Sequence, residues 1–171
     1  MRILTGGLWI AAAALCVSGG VAAGARQDLT DQSFVKQAAQ DGMAEVEMGN
    51  VAAEKASSDD VKTFASRMVR DHSKANAELA ALAEAKHLKV PTKLDVRHRA
   101  MIDALKLRSG ASFDAVYAKH MVADHNKAIS LFTKESQSSD PELSVFAKKT
   151  LPTLKEHKKM ADALNAKVGK T

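Results

Sequence analysis

Apolar residues recur along this chain with a period near 3.6, and the stripes they form are broken at a few short places. The breaks are Ala56-Ser57-Ser58-Asp59, Lys89-Val90-Pro91-Thr92, Ser109-Gly110-Ala111-Ser112 and Ser138-Ser139-Asp140-Pro141. Each gathers the small, capping or proline residues that end one helix and open the next. Alternating strand patterns are nearly absent. The spacing predicts a helix over Asp31 to Ala56, a second over Asp59 to His87 and a short third over Leu94 to Leu107. A fourth is expected over Phe113 to Gln137 and a fifth from Pro141 to Lys167. Ser58, Ser112 and Asp140 stand where N-caps belong, and Pro141 takes the first helical position, which proline prefers. Pro152 falls inside the fifth helix and should kink it, because it cannot donate to the carbonyl four residues back.

Short loops join helices one and two, and helices four and five, so each pair is expected to form an αα-hairpin. Residues 88–112, carrying the short helix, form the long link between the hairpins. The expected fold is all-α: a four-helix bundle with one short crossover helix, the connectivity of ferritin-like bundles.

The N-terminus changes this picture by setting the compartment. Arg2 followed by the apolar run Ile3 to Val17, and then Ala23-Gly24-Ala25, has the form of a secretory signal peptide. Cleavage is expected after Ala25, leaving residues 26–171 as one mature periplasmic or secreted domain. The only cysteine, Cys16, and the only tryptophan, Trp9, leave with the leader. Disulfides and thiolate metal sites are thereby excluded from the mature protein. Leu15 before Cys16 does not fit a lipidation signal. The excess positive charge is concentrated in 141–171, where seven lysines stand against Glu142, Glu156 and Asp162. A solvated face is the plain reading, and docking to an anionic envelope surface the alternative. Nucleic acid is not an expected partner, since the lysines are not interleaved with aromatic residues.

Helical geometry, about 100° per residue, sorts the polar side chains by face. Glu45 falls within the apolar arc of the first helix that carries Phe34, Ala38, Met48 and Ala52. His72 lies in the middle of Val61, Ala65, Met68, Ala75 and Leu79. His120 and Asp124 fall on the face of Tyr117, Met121 and Leu131, with His125 at its rim, and His157 joins Leu151, Leu154, Ala161 and Leu164. Glu45 lies about 12 residues before the first loop and His72 about 15 after it. His125 lies about 14 before the last loop and His157 about 18 after it, so all four reach similar heights at ~1.5 Å per residue. Unpaired charge is costly in an apolar interior. Glu45, His72, His125 and His157 are therefore expected to pair with one another, contact water, or hold one transition-metal ion (Zn, Fe, Cu or Ni), with His120 and Asp124 as alternates. Metal binding would weaken at acid pH, because only neutral imidazole ligates. Met48, Met68 and Met121 also face inward, where core packing is their ordinary use.

Met68-Val-Arg-Asp-His72-Ser-Lys-Ala75 matches Met121-Val-Ala-Asp-His125-Asn-Lys-Ala128 at six of eight positions. The match pairs the second helix with the fourth, so it does not follow a duplicated hairpin. It suggests similar local requirements, such as an acid–histidine pair at each place.

These segments, with Ala44-Glu-Val-Glu-Met-Gly49, Ser112-Phe-Asp-x-x-Tyr117 and Thr150-Leu-Pro-x-Leu-x-x-His157, resemble a bacterial family of secreted proteins of unknown function. The family is often labelled predicted outer-membrane protein and grouped with ferritin-like folds. The resemblance spans about 33–165 and implies a ferritin-like bundle, but no activity. Nothing in the sequence has the pattern of a transmembrane β-barrel. Ferritin-like di-iron sites use Glu-x-x-His pairs. Here Val69, Val122 and Leu154 stand three residues before the histidines, so di-iron oxidase chemistry is not expected. Three readings remain: a periplasmic bundle that binds one metal ion, a mononuclear metalloenzyme, and an envelope stress or interaction protein that works through its basic last helix.

Overall fold

The computed structural model describes residues 20–169, with side chains from 30 on. The apolar run of the expected leader lies outside the described residues. Among them the chain forms five helices: α1 (Gly20–Lys55), α2 (Asp59–Ala85), α3 (Val96–Lys106), α4 (Gly110–Glu135) and α5 (Pro141–Val168). The all-α bundle of four long helices with a short crossover helix is the observed architecture.

Several boundaries differ from those expected. α1 begins at Gly20, ahead of Asp31, so the expected cleavage point after Ala25 lies inside the helix. α4 begins at Gly110 with Ser109 as N-cap, one turn before Ser112, and Gly110 takes a φ of 61° that its missing Cβ permits. Ser58 occupies the N-cap of α2, yet its side chain makes no capping bond. Asp114 of α4 serves that turn instead, accepting from Ser57 N at 3.1 Å, Ser57 Oγ at 2.5 Å and Ser58 N at 2.9 Å. Asp140 caps α5 as expected, accepting from Glu142 N and Leu143 N, and α5 continues as one helix through Pro152.

The closest packing joins α1 to α2 and α4 to α5. α1 also lies against α4, α2 against α5, and α3 rests mainly on α1. Glycines on α1 let α2 approach: a Cβ on Gly49 would stand 2.6 Å from Val69 Cγ2, and one on Gly42 would overlap the Asn76 amide. The crossover is strapped along α1 by two side-chain amides. Gln32 donates to Lys89 O and accepts from Lys89 N, both at 2.8 Å. One stretch further on, Gln40 donates to Lys93 O and accepts from Asp95 N, again at 2.8 Å. His98 completes the strap, with Nδ1 2.9 Å from Asp95 and Nε2 3.1 Å from Asp41.

The core divides into two apolar clusters. One holds Met48, Phe64, Met68, Phe113, Tyr117, Met121 and Leu164. The other holds Phe34, Leu79, Phe132, Leu143, Phe146 and Leu154. Each large side chain removed from water contributes about 1.5–3 kcal/mol. His72, His125 and His157 belong to neither cluster, and their sequence positions place them between the two.

At the far end of the second cluster, Glu135 is buried with Oε1 unpartnered. Burial, reinforced by the charges of Asp31 and Asp140, pushes its carboxyl up to about 7. A carboxyl with a raised folded-state pKa holds its proton in the fold after the unfolded chain has lost it. Its contribution to stability is therefore full below about pH 4.5 and is lost as pH rises through about 7. Against wild type, Glu135→Gln should gain on the order of 2–3 kcal/mol across that window, read from urea denaturation at pH 4.5 and pH 7.5. A constant difference at both pH values would show that Glu135 does not titrate in this way.

Candidate metal centre

Three helices bring one imidazole each to the gap between the two apolar clusters. His72 comes from α2, His125 from α4 and His157 from α5. Their ring centroids stand 5.4–5.6 Å apart. One ring nitrogen from each lies within 4.8 Å of the others. His125 and His157 are 1% exposed and His72 9%. Among the described residues, His72 Nε2, His125 Nε2 and His157 Nδ1 are buried without a hydrogen-bond partner. Buried polar atoms are normally paired, so three adjoining rings that each keep an unpaired nitrogen are not ordinary packing.

The opposite nitrogens of two rings are committed. His125 Nδ1 lies 2.8 Å from the Met121 carbonyl, to which it can only donate. His157 Nε2 lies 2.9 Å from Asp71 Oδ2. Donation there leaves His125 Nε2 and His157 Nδ1 as lone-pair acceptors, which is how outer partners orient metal-binding histidines. Asp71 is held in turn by Arg67 and Arg70. Burial raises its pKa, but the hydrogen bonds from His157, Arg70 and Arg67 prevail and bring it to about 2.

The rings are uncharged near neutral pH. Burial, aided by the proximity of His125 and His157, lowers His72 to about 3. Burial lowers His125 to about 4 against the opposing pull of the Met121 carbonyl. It lowers His157 as well, against the opposing pull of Asp71. Neutral imidazole is the form that ligates.

Glu45, expected as a fourth member, stands beside the centre. It is 4% exposed. Its Oε1 lies 3.8 Å from His125 Nδ1, the nitrogen already engaged with Met121, and its Oε2 has no partner. Burial, with Asp124 and Asp41 adding, pushes its carboxyl well above the usual range. The alternates do not join the three rings. His120 lies five residues before His125 and points about 140° away around α4, where it is half-exposed. Asp124 pairs with Lys127 at 3.0 Å. The expected acid–histidine pairing within each Met-Val-x-Asp-His segment is also corrected: Asp71 reaches across to His157 on α5, because adjacent residues on a helix diverge by about 100°. The sequence marked Asp71 as the acid of an acid–histidine pair but not its partner, and it did not single out the Met121 carbonyl. No local pattern marks a partner 86 residues away.

A cavity of about 410 Å³ opens onto the centre, lined by Glu45, His72, His125 and Asp124 at one end and by Leu79, Phe132, Phe146 and Leu154 at the other. Asp41, Asp95 and His98 line it from the strap side. On the outer face of α5, Lys148, Lys155 and Lys159 are exposed, while Lys149 pairs with Glu78 and Lys158 with Asp162.

Fold and centre together define an all-α bundle with three converging histidines in its core. The chain belongs to the family described as a domain of unknown function, DUF4142, whose sequence model matches residues 17–164. That agrees with the resemblance carried by its separated motifs. Two solved structures are similar to it. One is a DUF305 fragment from Deinococcus radiodurans, 12% identical, covering 83% of this chain and 97% of that one with a TM-score of 0.71. The other is a DUF305 protein from Streptomyces coelicolor, whose name marks it as a candidate secreted protein. It is 13% identical and covers 83% of this chain and 95% of that one, with a TM-score of 0.69. At these identities the likeness is one of fold alone. No curated protein matches the chain. Among the described residues no helix is long and apolar enough to cross a membrane.

An unpaired carboxyl oxygen in the core carries a desolvation cost with nothing to offset it. Glu45→Leu should therefore raise the stability of the metal-free protein by about 1–3 kcal/mol in urea denaturation. A loss of stability would mean that Glu45 is held by partners that strengthen the core.

Proposed function

We propose that this protein is an exported helical bundle that binds one transition-metal ion through His72, His125 and His157. The observation that carries this reading is that one ring nitrogen from each of three buried histidines lies within 4.8 Å of the others, on rings that each keep a nitrogen without a hydrogen-bond partner. Around an ion with metal–nitrogen bonds of about 2.0–2.1 Å, tetrahedral donors stand roughly 3.3 Å apart. Small rotations of the imidazoles would close that difference without moving a helix.

An all-imidazole set suits Zn, Cu, Ni or Fe in the divalent state, and excludes the hard cations that demand oxygen. Asp71 supports the site by holding His157 in the ligating tautomer. A purely structural role for the three histidines is less well supported, because a structural network would pair their nitrogens instead of leaving one on each ring free.

Mature protein (residues 26–171) purified from periplasm without chelator should carry close to one equivalent of metal by elemental mass spectrometry. His72→Ala, His125→Ala and His157→Ala should each abolish stoichiometric loading. Asp71→Ala should weaken affinity by about 10–100-fold in a chelator competition. A protein that holds no metal and takes up none of Zn, Cu, Ni or Fe when these are added would overturn the reading.

A further inference from the structure

Three histidines satisfy three positions of a four-coordinate ion, and such sites leave the last position to water or to an incoming molecule. The surroundings of that position are unequal. His157 does not border the cavity, whereas His72 and His125 do. Access to the centre is therefore from the cavity side.

The cavity has two ends of different chemistry. Near the rings stands Glu45, whose Oε2 is buried and has no partner. Asp41 and Asp124 share that end, but Asp41 faces His98 and Asp124 faces Lys127, so Glu45 is the acceptor left free. The other end is apolar. Leu79 lies seven residues beyond His72 on α2, and Phe132 seven beyond His125 on α4, a run of roughly 10 Å along the bundle. Leu154 and Phe146 of α5 close it. A volume of about 410 Å³ is far more than an ion or a single water requires, and lies in the range of sites for small organic molecules. Lys127 and His98 offset Asp124 and Asp41 in the lining, so the unpaired Glu45 oxygen sets the demand for a hydrogen-bearing head, and burial disfavours a charge on head or tail.

We infer that this cavity binds a small organic molecule with an apolar body and a neutral, hydrogen-bearing oxygen or nitrogen head, which reaches the three-histidine centre as an exchangeable ligand and donates a hydrogen bond to Glu45. The inference rests on the metal-binding reading. It adds what that reading lacks: the ligand class, the direction of approach and a positioning role for Glu45 distinct from ligation. The strap held by Gln40 and His98 forms the rim through which the molecule would pass.

The test uses benzohydroxamic acid, which has an apolar ring and a neutral N–H and O–H head, with acetohydroxamic acid as a comparator that carries the same head on a single methyl group. Metal content is first measured on each sample, and binding is then followed by calorimetry on metal-loaded and metal-free protein. Benzohydroxamic acid should bind the loaded protein and not the metal-free one. Ala128→Leu, which fills the cavity beside the centre, should weaken it at least tenfold at unchanged metal content while acetohydroxamic acid binds as before. Ala75→Leu fills the same space from α2 and repeats the test should the first variant fold poorly. Glu45→Leu should likewise retain metal and weaken benzohydroxamic acid at least tenfold. Full loading without benzohydroxamic acid binding, or binding indifferent to the filled cavity, overturns this inference and leaves the metal-binding reading standing. Loss of metal in Glu45→Leu makes Glu45 a ligand and overturns its positioning role. Absence of metal from every sample overturns both.

Discussion

Everything distinctive in this bundle follows from placing three buried imidazoles between two apolar clusters. Their rings stand 5.4–5.6 Å apart, and burial disfavours a proton on each, with His125 and His157 adding to the effect at His72. They are kept neutral, and neutral rings buried in the core must each find a donor, an acceptor or a metal. The fold supplies outward-facing partners for two of them and leaves an inward nitrogen free on all three. The apolar core is parted by this layer into one cluster around Met68, Met121 and Tyr117 and another around Phe34, Phe132 and Leu154. Those clusters stabilise the bundle, and the layer between them draws on that stability.

The elements outside the core serve to hold this layer in register. Asp114 reaches from α4 to fasten the turn between α1 and α2. At the other end Lys86 bridges to Asp140 and Glu142, binding the end of α2 to the start of α5. The glutamine pair on α1 fixes the crossover by bonding to its backbone, which requires no particular side chain in the strap itself. His98 adds side-chain specificity there, between Asp41 and Asp95, and Lys106 of α3 pairs with Glu47 of α1. The result is a cavity bounded on one side by a segment whose backbone is tied at two points.

Much of this was legible in the sequence, for reasons of periodicity. Apolar spacing located the helices, Asp140-Pro141 marked the start of α5, and loop lengths implied the two hairpins and the crossover. Counting residues from the loops placed His72, His125 and His157 at similar heights, because a helix rises by a constant amount per residue. Boundaries were less secure where capping is done from a distance, as at Ser57 and Ser58, and where a glycine extends a helix, as at Gly110.

The sequence by itself determined the all-α class and the order of the helices, since each follows from local chemistry repeated every turn. On α4 it put His120 on the apolar face and His125 at the rim, and the structure reverses the two. Only the tertiary structure decided the partners. Asp71 joins His157 and not its neighbour His72, and Glu45 stands beside the rings instead of among them. Asp41 meets His98 across 57 residues of chain. Such pairings depend on how one helix is rotated against another, and a rotation of a few tens of degrees leaves the apolar pattern unchanged while exchanging one polar neighbour for the next.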